Sequence, residues 1–448
     1  MRNTDEAADL AQQAIAHARR AGADGADALF VAGRSSSVQV RLGALEDVQR
    51  SESEALGLRL FLGHRSASVS TSDFSADSLA ALVERAAEMA RQAPEDPFAG
   101  LAPAELLASG PVADLDGWDG EEPAPEALQA VALSAEAAAL AVPGIANSGG
   151  CSASAGASTI ALATSHGFAG AYRSTMFGCA ATVIAGEVTA MQRDFEYSSA
   201  RHRADLEPAE SIGRKAGARA AARLATTGIA PGTMPVLFEP RVAASLLGHF
   251  TGAISGSAVA RKASFLLGKL GERVFAPGIA IVDDPLRRRG LRSRPFDGEG
   301  VAVRRLSLVE DGNLATWLAE SASARQLGIA PTGHAVRSVG GAPGAGPSNL
   351  YLAAGRRSPE DMIAAERRLL LVTELIGQGV NGVTGDYSRG AVGFLYENGE
   401  RVGAVSEITI ASNLLDMFAS LEPASDLEFR RGTDSPSVLV PEMVVGSA

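Results

Sequence analysis

The chain of 448 residues is longer than one hydrophobic core usually serves, so we expect two or more lobes. With 46% hydrophobic and 21% charged residues it has the composition of a globular protein, and no apolar run approaches the roughly 20 residues that span a bilayer, so we expect no membrane partner. The 52 acidic and 40 basic side chains give a formal net charge of -12, which disfavours nucleic acid as a partner.

The start of the chain predicts an amphipathic helix over about Asp5 to Ala21, ended by Gly22. This segment is acidic and lacks the basic region and the continuous apolar region of a secretory signal. We therefore expect a cytoplasmic protein.

Residues 1–92 predict an N-terminal α+β domain. Segments 37–43, 55–63 and 65–72 alternate apolar and polar residues, which indicates three short strands of an antiparallel meander. The helix that follows, over 75–93, has an apolar stripe that we expect to face inward: Leu79, Leu82, Val83, Ala86 and Met89.

Residues 93–122 predict a linker, because four prolines occur there with little periodicity. Residues 123–228 predict a middle region that begins with a helix ending at Pro143. A hairpin turned at His166-Gly167, two more strands over 177–197 and a helix over about 208–225 complete it.

Residues 229–448 predict a C-terminal β-rich domain. A short strand leads into a helix that contains LLGHFTGAISG at 246–256. Asp311-Gly312 and Asn398-Gly399 are typical of type I′ hairpin turns. The predicted fold class is α+β, with a mixed N-terminal half that contains the meander and a largely antiparallel C-terminal half with a few helices.

The two cysteines, Cys151 and Cys179, are too few to staple a chain of this length and are not spaced as a Cys-x-x-Cys clip. We expect both to be buried as small hydrophobic side chains.

Common catalytic motifs are absent from the sequence. A zinc-binding helix needs two histidines one turn apart and a glutamate beside them, yet around His249 the positions one turn away are Ser245 and Ala253. The remaining histidines are scattered over predicted turns and helix surfaces: His17, His64, His166, His202 and His334. A Gly-x-Ser-x-Gly elbow and a phosphate-binding loop are also missing, so the sequence predicts no catalytic residue and no metal ligand in this chain.

The segment GVNGVTGDYSRGAVG at 379–393 has the most distinctive local pattern. Its glycines permit positive φ or close backbone approach, and its polar side chains can bond the backbone of a tight loop. Two interpretations stay open, an ordinary structural loop before a strand or a surface that an extended peptide approaches. The residues of this possible peptide groove are Asn381, Gly382, Thr384, Gly385 and Asp386.

Four segments together resemble the PmbA/TldE branch of the TldD/PmbA metalloprotease family, also called modulators of DNA gyrase. They run in the expected order along nearly the whole chain: the stretch at 40–75, LLGHFTGAISGSAVARKASFL at 246–266, GQGVNGVTGDYSRGAVGFLYENGE at 377–400 and PSVLVPEMVVG at 436–446. The resemblance implies a cytoplasmic partner in a heteromeric zinc protease that acts on unfolded or small modified peptides.

The TldD branch carries His-Glu-x-x-x-His on the central helix and a cysteine ligand near its C-terminus. With Arg261-Lys262 as the anchor, the resemblance aligns these three helix positions with Gly248, His249 and Ala253. The cysteine would fall around 430–432, where there is no thiol. Glycine and alanine cannot bind zinc, so we expect no cofactor in this chain and zinc in a TldD-type partner.

The resemblance and this departure imply a non-catalytic TldE/PmbA-type subunit that binds a TldD-type catalytic subunit and a peptide substrate. A homodimer is plausible when that partner is missing, since pairing would cover bare strand edges. Two alternatives stay open: an autonomous peptidase that acts as a homo-oligomer, and a peptide-binding scaffold without a protease partner.

Overall fold

The computed structural model describes residues 1–187 and 190–447 and has the predicted α+β architecture. Residues 1–224 form what we call the N-terminal lobe, and 229–447 form the C-terminal lobe. The N-terminal lobe contains α1 (Thr4–Arg20), β1 (Gly25–Arg41), β2 (Ala44–Leu62), β3 (Arg65–Thr71), α2 (Ala76–Gln92), α3 (Pro125–Leu140), β4 (Ile145–Thr164), β5 (Ala169–Ala185), β6 (Gln192–Ala200) and α4 (Ala209–Ala222).

One antiparallel sheet of six strands, in the order β3-β2-β1-β4-β5-β6, organises the N-terminal lobe. Side chains alternate between its faces. On one face Phe30 belongs to the core that α1 and α2 cover, and Val38 to the core that α3 and α4 cover. On the other face Leu29 packs with Phe296 of the C-terminal lobe. The sheet therefore lies between four helices and the C-terminal lobe.

The strands are longer than the sequence pattern indicates. The structure extends β1 back to Gly25 and β2 back to Ala44, although residues 44–53 of β2 are exposed and lack an apolar face. The hairpin at 166–167 is confirmed. The two further strands expected over 177–197 are not separate from it, because β5 continues without a break to Ala185 and only β6 follows as a new strand. Residues 188–189 of that prediction lie outside the described residues.

Met89 does not face inward as predicted, since its side chain is 48% exposed. It lies on the outer flank of α2, while the other four residues of the predicted stripe are buried. A long flexible side chain at the margin of an amphipathic stripe can lie on either side of the boundary.

The C-terminal lobe is built around β7 and α5. Its elements are β7 (Gly232–Phe238), α5 (Pro240–Ala253), α6 (Gly256–Ala260), β8 (Ile281–Asp283), β9 (Leu306–Glu310), β10 (Asn313–Leu314), α7 (Ser321–Leu327), β11 (Ala335–Val336), β12 (Gly344–Ala345), β13 (Leu350–Leu352), α8 (Pro359–Ala365), β14 (Arg368–Ile376), β15 (Asp386–Glu397), β16 (Glu400–Asn413), α9 (Leu414–Ser420), β17 (Glu422–Pro423), β18 (Thr433–Asp434) and β19 (Val438–Ser447).

The main sheet of this lobe has the order β16-β15-β14-β7-β19-β17, and β16 also pairs with β19, so the sheet closes on itself. A second sheet has the order β10-β9-β8-β13-β18. Both predicted type I′ turns are confirmed, because Asp311 and Asn398 adopt φ of 47° and 50° and each is followed by a glycine with positive φ. Pairing is mainly antiparallel, with β7–β14 and β13–β18 as parallel pairs.

Buried ion pairs join the lobes. Asp27 of β1 binds Arg59 of β2 and Arg337 of the C-terminal lobe, and Arg59 also binds Glu299 at 3.2 Å. Residues 93–122 run between the lobes with one turn of 3-10 helix at 104–106, and their backbone carbonyls accept hydrogen bonds from Arg325. The division at 92, 122 and 228 stays a prediction, although strands from both sides of the linker share one sheet.

Candidate functional site

The helix α5 forms the floor of the candidate site. Pro240 occupies its first turn, where a missing N–H costs no hydrogen bond. Its buried stripe, at the 3.6-residue period, joins the main core: Val242, Ala243, Leu246, Leu247, Phe250 and Ala253. Phe250 packs edge-on against Phe275 at 5.2 Å and Phe418 at 6.2 Å between ring centroids. This packing fixes the orientation of the opposite face.

The outer face of α5 is bare. Gly248 and Gly252 lie one turn apart and are exposed, and no heavy atom lies within 4 Å of the place where a Cβ would stand on either residue. His249 lies between them and is half-buried, and Ala253 ends the helix with its side chain in the core. The three positions that the resemblance aligns with the zinc motif therefore follow one edge of the helix.

A groove of about 370 Å³ runs along this edge. The backbone N–H of Phe265 donates to the carbonyl of Gly382 at 3.0 Å and joins one wall to the other. The structure thus brings Gly248, His249 and Ala253 together with Gly382, although more than a hundred residues separate the helix from the loop. The other predicted loop residues do not line the groove: Asn381, Thr384, Gly385 and Asp386. The groove is lined by Gly248, His249, Gly252, Ala253, Ala263, Phe265, Gln378, Val380, Gly382 and Leu414.

Polar side chains of the loop bond within the loop itself. Asn381 Oδ1 accepts from the N–H groups of Val383 at 2.9 Å and Thr384 at 3.3 Å. The Thr384 hydroxyl donates to Asp386 Oδ2 at 2.6 Å, and the Asn413 amide donates to Asp386 Oδ1 at 3.2 Å. These contacts give the loop a defined shape, and contact with a peptide stays a prediction.

Two glycines meet backbone requirements of the loop. Gly385 has φ of +82°, in the left-handed region that other residues rarely adopt. A Cβ on Gly379 would lie 2.0 Å from the Ser388 carbonyl oxygen, so only glycine fits that close approach. Gly382 has neither constraint and leaves its side of the groove open.

His249 has an unusual environment. Its ring packs edge-on against Tyr387, with 6.1 Å between centroids, and its Nε2 is buried without a hydrogen-bond partner among the described residues. Burial lowers the pKa of His249, and the charge of Arg389 lowers it further. The His249 ring thus packs against an aromatic side chain, whereas the described residues offer its Nε2 no hydrogen bond.

The side chains at this site do not fit a zinc ion. Over residues 1–187 and 190–447, no three His, Cys, Asp or Glu side chains converge as a metal site would require. His249 offers a single nitrogen, and the nearby guanidinium of Arg389 would repel a cation. At 430–432 two arginines are engaged elsewhere, Arg430 with Glu207 at 2.7 Å and Arg431 with the Tyr197 hydroxyl at 2.9 Å.

Two further sequence predictions meet the structure away from the groove. His334, which we expect on a turn or a helix surface, is buried. Asp283 lies 3.3 Å from its Nε2, and the Thr332 hydroxyl is within hydrogen-bond distance of its Nδ1. Cys151 and Cys179 are free and buried as predicted. Burial raises their pKa values to about 12 and about 11.

Sequence reasoning did not identify Tyr387 and Arg389 as site residues. Both lie on the inner face of β15, and Tyr387 is 1% and Arg389 8% exposed. The alternation of this strand could have placed them inward, but only the tertiary structure brings Tyr387 of β15 into contact with His249 of α5.

The α+β fold with its groove along α5 is that of a metallopeptidase family. Three family models that describe PmbA/TldA metallopeptidase domains match residues 26–90 (domain 1), 118–224 (central domain) and 231–447 (C-terminal domain). The chain belongs to the PmbA/TldD metallopeptidase family.

Relatives of both branches are similar to this chain. The metalloprotease PmbA of Escherichia coli O157:H7 is 39% identical over 424 residues, which cover 94% of this chain and 92% of that protein. A metalloprotease TldD homolog of Haemophilus influenzae is 26% identical over 216 residues, covering 48% of this chain and 45% of that protein. Similarity to PmbA thus covers about twice as much of the chain as similarity to this TldD homolog.

Solved structures share the whole fold. A Bacteroides thetaiotaomicron protein described as a candidate modulator of DNA gyrase is 27% identical and superposes with a TM-score of 0.91 over 99% of this chain and 100% of its own. TldE from Thermococcus kodakarensis, at 20% identity, has a TM-score of 0.86 over 98% of this chain and 100% of its own. The second likeness concerns the fold alone. Within the described residues, no helix is long and apolar enough to cross a membrane.

Proposed function

We propose that this chain is the non-catalytic, TldE/PmbA-type subunit of a cytoplasmic heteromeric zinc protease, in which a TldD-type partner supplies the metal. The observation that carries the proposal is the groove along α5, where Gly248 and Ala253 have no ligand atom and Arg389 adds a positive charge. A hydrolytic zinc site needs three protein ligands and an activated water, and this groove provides one imidazole.

In this proposal the subunit shapes the chamber into which peptides enter. The glycine-floored groove and the self-bonded loop at 379–386 form a wall that an extended backbone can approach closely, because Gly248, Gly252 and Gly382 leave space beside them. Substrates of this kind are unfolded polypeptides or small modified peptides. The chemistry of bond cleavage belongs to the partner.

Reconstitution tests this division of labour. The purified chain, a TldD-type partner and their mixture are assayed on an unfolded protein substrate, with and without a chelator. We expect cleavage by the mixture that the chelator abolishes, and none by this chain alone. Chelator-sensitive cleavage by the isolated chain would instead identify an autonomous peptidase, and a mixture no more active than the partner would favour a scaffold without a protease partner.

A variant of His249 tests whether this side chain takes part in catalysis. His249→Asn removes the imidazole and keeps a polar side chain of smaller volume in the groove wall. If this chain is non-catalytic, His249→Asn acts on peptide binding alone, so the mixture shows a raised KM and, at saturating substrate, a turnover number reduced by at most about tenfold. A loss of about a thousandfold would show that His249 takes part in the chemistry.

A further inference from the structure

Arg389 is a buried arginine without a carboxylate partner. Arg389 is 8% exposed. Among the described residues, four other arginines have side chains that are at least nine-tenths buried, and each of them pairs with a carboxylate: Arg59, Arg223, Arg241 and Arg337. Arg59 binds Asp27 and Glu299, and Arg223 binds Asp194 at 2.9 Å and Glu374 at 2.7 Å. By contrast, the bond that Arg389 makes among these residues is a long one, from Nε to the Ile376 carbonyl at 3.4 Å.

Two more unpaired polar groups lie beside this guanidinium. His249 Nε2 and the Tyr387 hydroxyl are both buried without a partner among the described residues, and the two rings are in edge-on contact. Burial raises the pKa of Tyr387, against a smaller opposing effect of the Arg389 charge, and burial lowers the pKa of His249, with Arg389 lowering it further. Leaving such groups unpaired costs free energy, so clustering three of them requires a reason.

The chemistry of the three groups indicates the missing partner. A guanidinium donates only, a phenol donates readily, and a neutral imidazole can donate from Nε2. A group that accepts hydrogen bonds at several lone pairs and carries negative charge satisfies all three, and a carboxylate meets this description.

The cluster lies next to the groove. His249 is part of the groove wall, and Ile376, which accepts from Arg389, precedes the wall residue Gln378 by two positions. Among the described residues neither Nη atom of Arg389 donates a hydrogen bond, and neither is sealed from solvent. His249 Nε2 and the Tyr387 hydroxyl are sealed, and neither Tyr387 nor Arg389 lines the groove. A carboxylate in the groove therefore reaches the cluster by passing the His249 side chain.

We propose that the groove along α5 binds a carboxylate of an extended peptide, with Arg389 as the charged anchor and His249 and Tyr387 as supporting donors. The source is either the C-terminal carboxylate of the peptide or an acidic side chain within it. This inference rests on the proposed function for the peptide nature of the ligand.

Direct binding to the isolated full-length chain tests the proposal. Three fluorescently labelled pentapeptides are compared by anisotropy: pentaalanine with a free C-terminus, its C-terminal amide, and an amidated peptide with glutamate at the central position. We expect at least one carboxylate peptide to bind about tenfold or more tightly than the neutral amide, as a desolvated charge-assisted pair would give. The peptide that gains affinity identifies the source of the carboxylate.

Variants of Arg389 test whether its guanidinium causes the preference for carboxylate peptides over the amide. Arg389→Met should bring the carboxylate and amide peptides to equal affinity, and Arg389→Lys, which keeps the charge and loses the planar fork, should restore part of the difference. Arg20→Met serves as a control, because Arg20 is an exposed arginine of α1 in the other lobe. Equal affinity of the peptides for the unmodified chain, or a preference that survives in Arg389→Met, would overturn the proposal.

A measurement on the unmodified chain removes dependence on how the variants fold. The His249 ring resonance, assigned by its loss in His249→Asn, should shift in a saturable manner with the preferred carboxylate peptide and stay in place with the amide. An unmoved resonance at saturating peptide would contradict the site even if binding occurs elsewhere. Failure of the reconstitution assay would leave this result unaffected, since neither the partner nor cleavage enters it.

Discussion

At the level of single residues, Gly248 and Ala253 leave α5 without a metal ligand at two positions along the groove. The buried stripe of α5 keeps Phe250 in an aromatic cluster with Phe275 and Phe418. Gly248 carries only hydrogen and Ala253 only a methyl group that lies in the core, and neither has a lone pair for a metal. Burial lowers the pKa of His249, and the charge of Arg389 lowers it further.

The cysteines give a prediction at this scale. Burial, together with the charges of Glu136 near Cys151 and Glu210 near Cys179, raises both thiol pKa values, so the reactive thiolates are scarce at pH 8. We expect iodoacetamide to leave the folded chain unmodified and to alkylate both thiols after unfolding in urea, as measured by mass spectrometry. Rapid modification of either thiol in the folded chain would contradict this environment.

Asp297 gives a prediction of pH dependence. Burial and the charge of Glu299 raise the pKa of Asp297 to about 6, although the N–H groups of Glu299, Val301 and Ala335 donate to its carboxylate. Because the folded pKa lies above the unfolded one, the protonated group stabilises the fold below about pH 4 and this contribution is lost as the pH rises through 6.

The test compares the original chain with Asp297→Asn by urea unfolding between pH 4 and pH 7. The free energy of unfolding of the original chain, relative to the variant, should fall by on the order of 3 kcal/mol across this range. A difference that stays constant with pH, or rises, would contradict the assigned environment of Asp297.

Among the secondary-structure elements, α4 and α5 each contain a glycine, but only in α4 does packing require it. In α4, Gly213 packs against α3 so closely that a Cβ would lie 2.0 Å from the Ala135 carbonyl oxygen. In α5, Gly248 faces open space. The first glycine is required by packing, whereas the second only lowers the intrinsic stability of its helix.

Matched alanine substitutions separate these roles. Gly248→Ala should raise the free energy of unfolding by about 0.5–1 kcal/mol, because alanine is the better helix former and meets no obstacle. Gly213→Ala should lower it by about 1–3 kcal/mol, because α3 and α4 must move apart. Thermal and urea unfolding check both values. Destabilisation by Gly248→Ala would contradict the open space that the structure shows beside Gly248.

Elements with a local sequence signal could be predicted, whereas elements without one could not. The turns at Asp311-Gly312 and Asn398-Gly399 follow from residues that tolerate positive φ, and α5 from its apolar stripe. The outer half of β2 has no apolar face to reveal it, because residues 44–53 pair with β1 alone and remain exposed. The cluster of His249, Tyr387 and Arg389 depends on packing between distant segments, which no local pattern encodes.

At the scale of the whole molecule, buried charges hold the two lobes in one arrangement. Asp27 of the N-terminal sheet is enclosed between Arg59 and Arg337, and these arginines keep its pKa below the usual value despite the opposing effect of burial. A cluster of this kind fixes the relation of the lobes, because each charge depends on partners from the other side.

Removing one partner tests this connection. Arg337→Met leaves Asp27 with Arg59 alone and should lower the free energy of unfolding by about 3–5 kcal/mol. Arg304→Met, at an exposed position of the same lobe, should change it by less than about 0.5 kcal/mol. The double variant Asp27→Asn/Arg337→Met should recover part of the loss, and equal effects of Arg337→Met and Arg304→Met would contradict the role of the cluster.

Metal analysis shows directly whether this chain or its partner binds zinc. The isolated chain and its mixture with a TldD-type partner are purified, dialysed against trace zinc and measured by inductively coupled plasma mass spectrometry. Because Gly248, His249 and Ala253 supply one nitrogen where a hydrolytic site needs three ligands, we predict well under about 0.1 zinc per isolated chain and about one zinc per mixed dimer. About one zinc in each isolated chain would contradict the account.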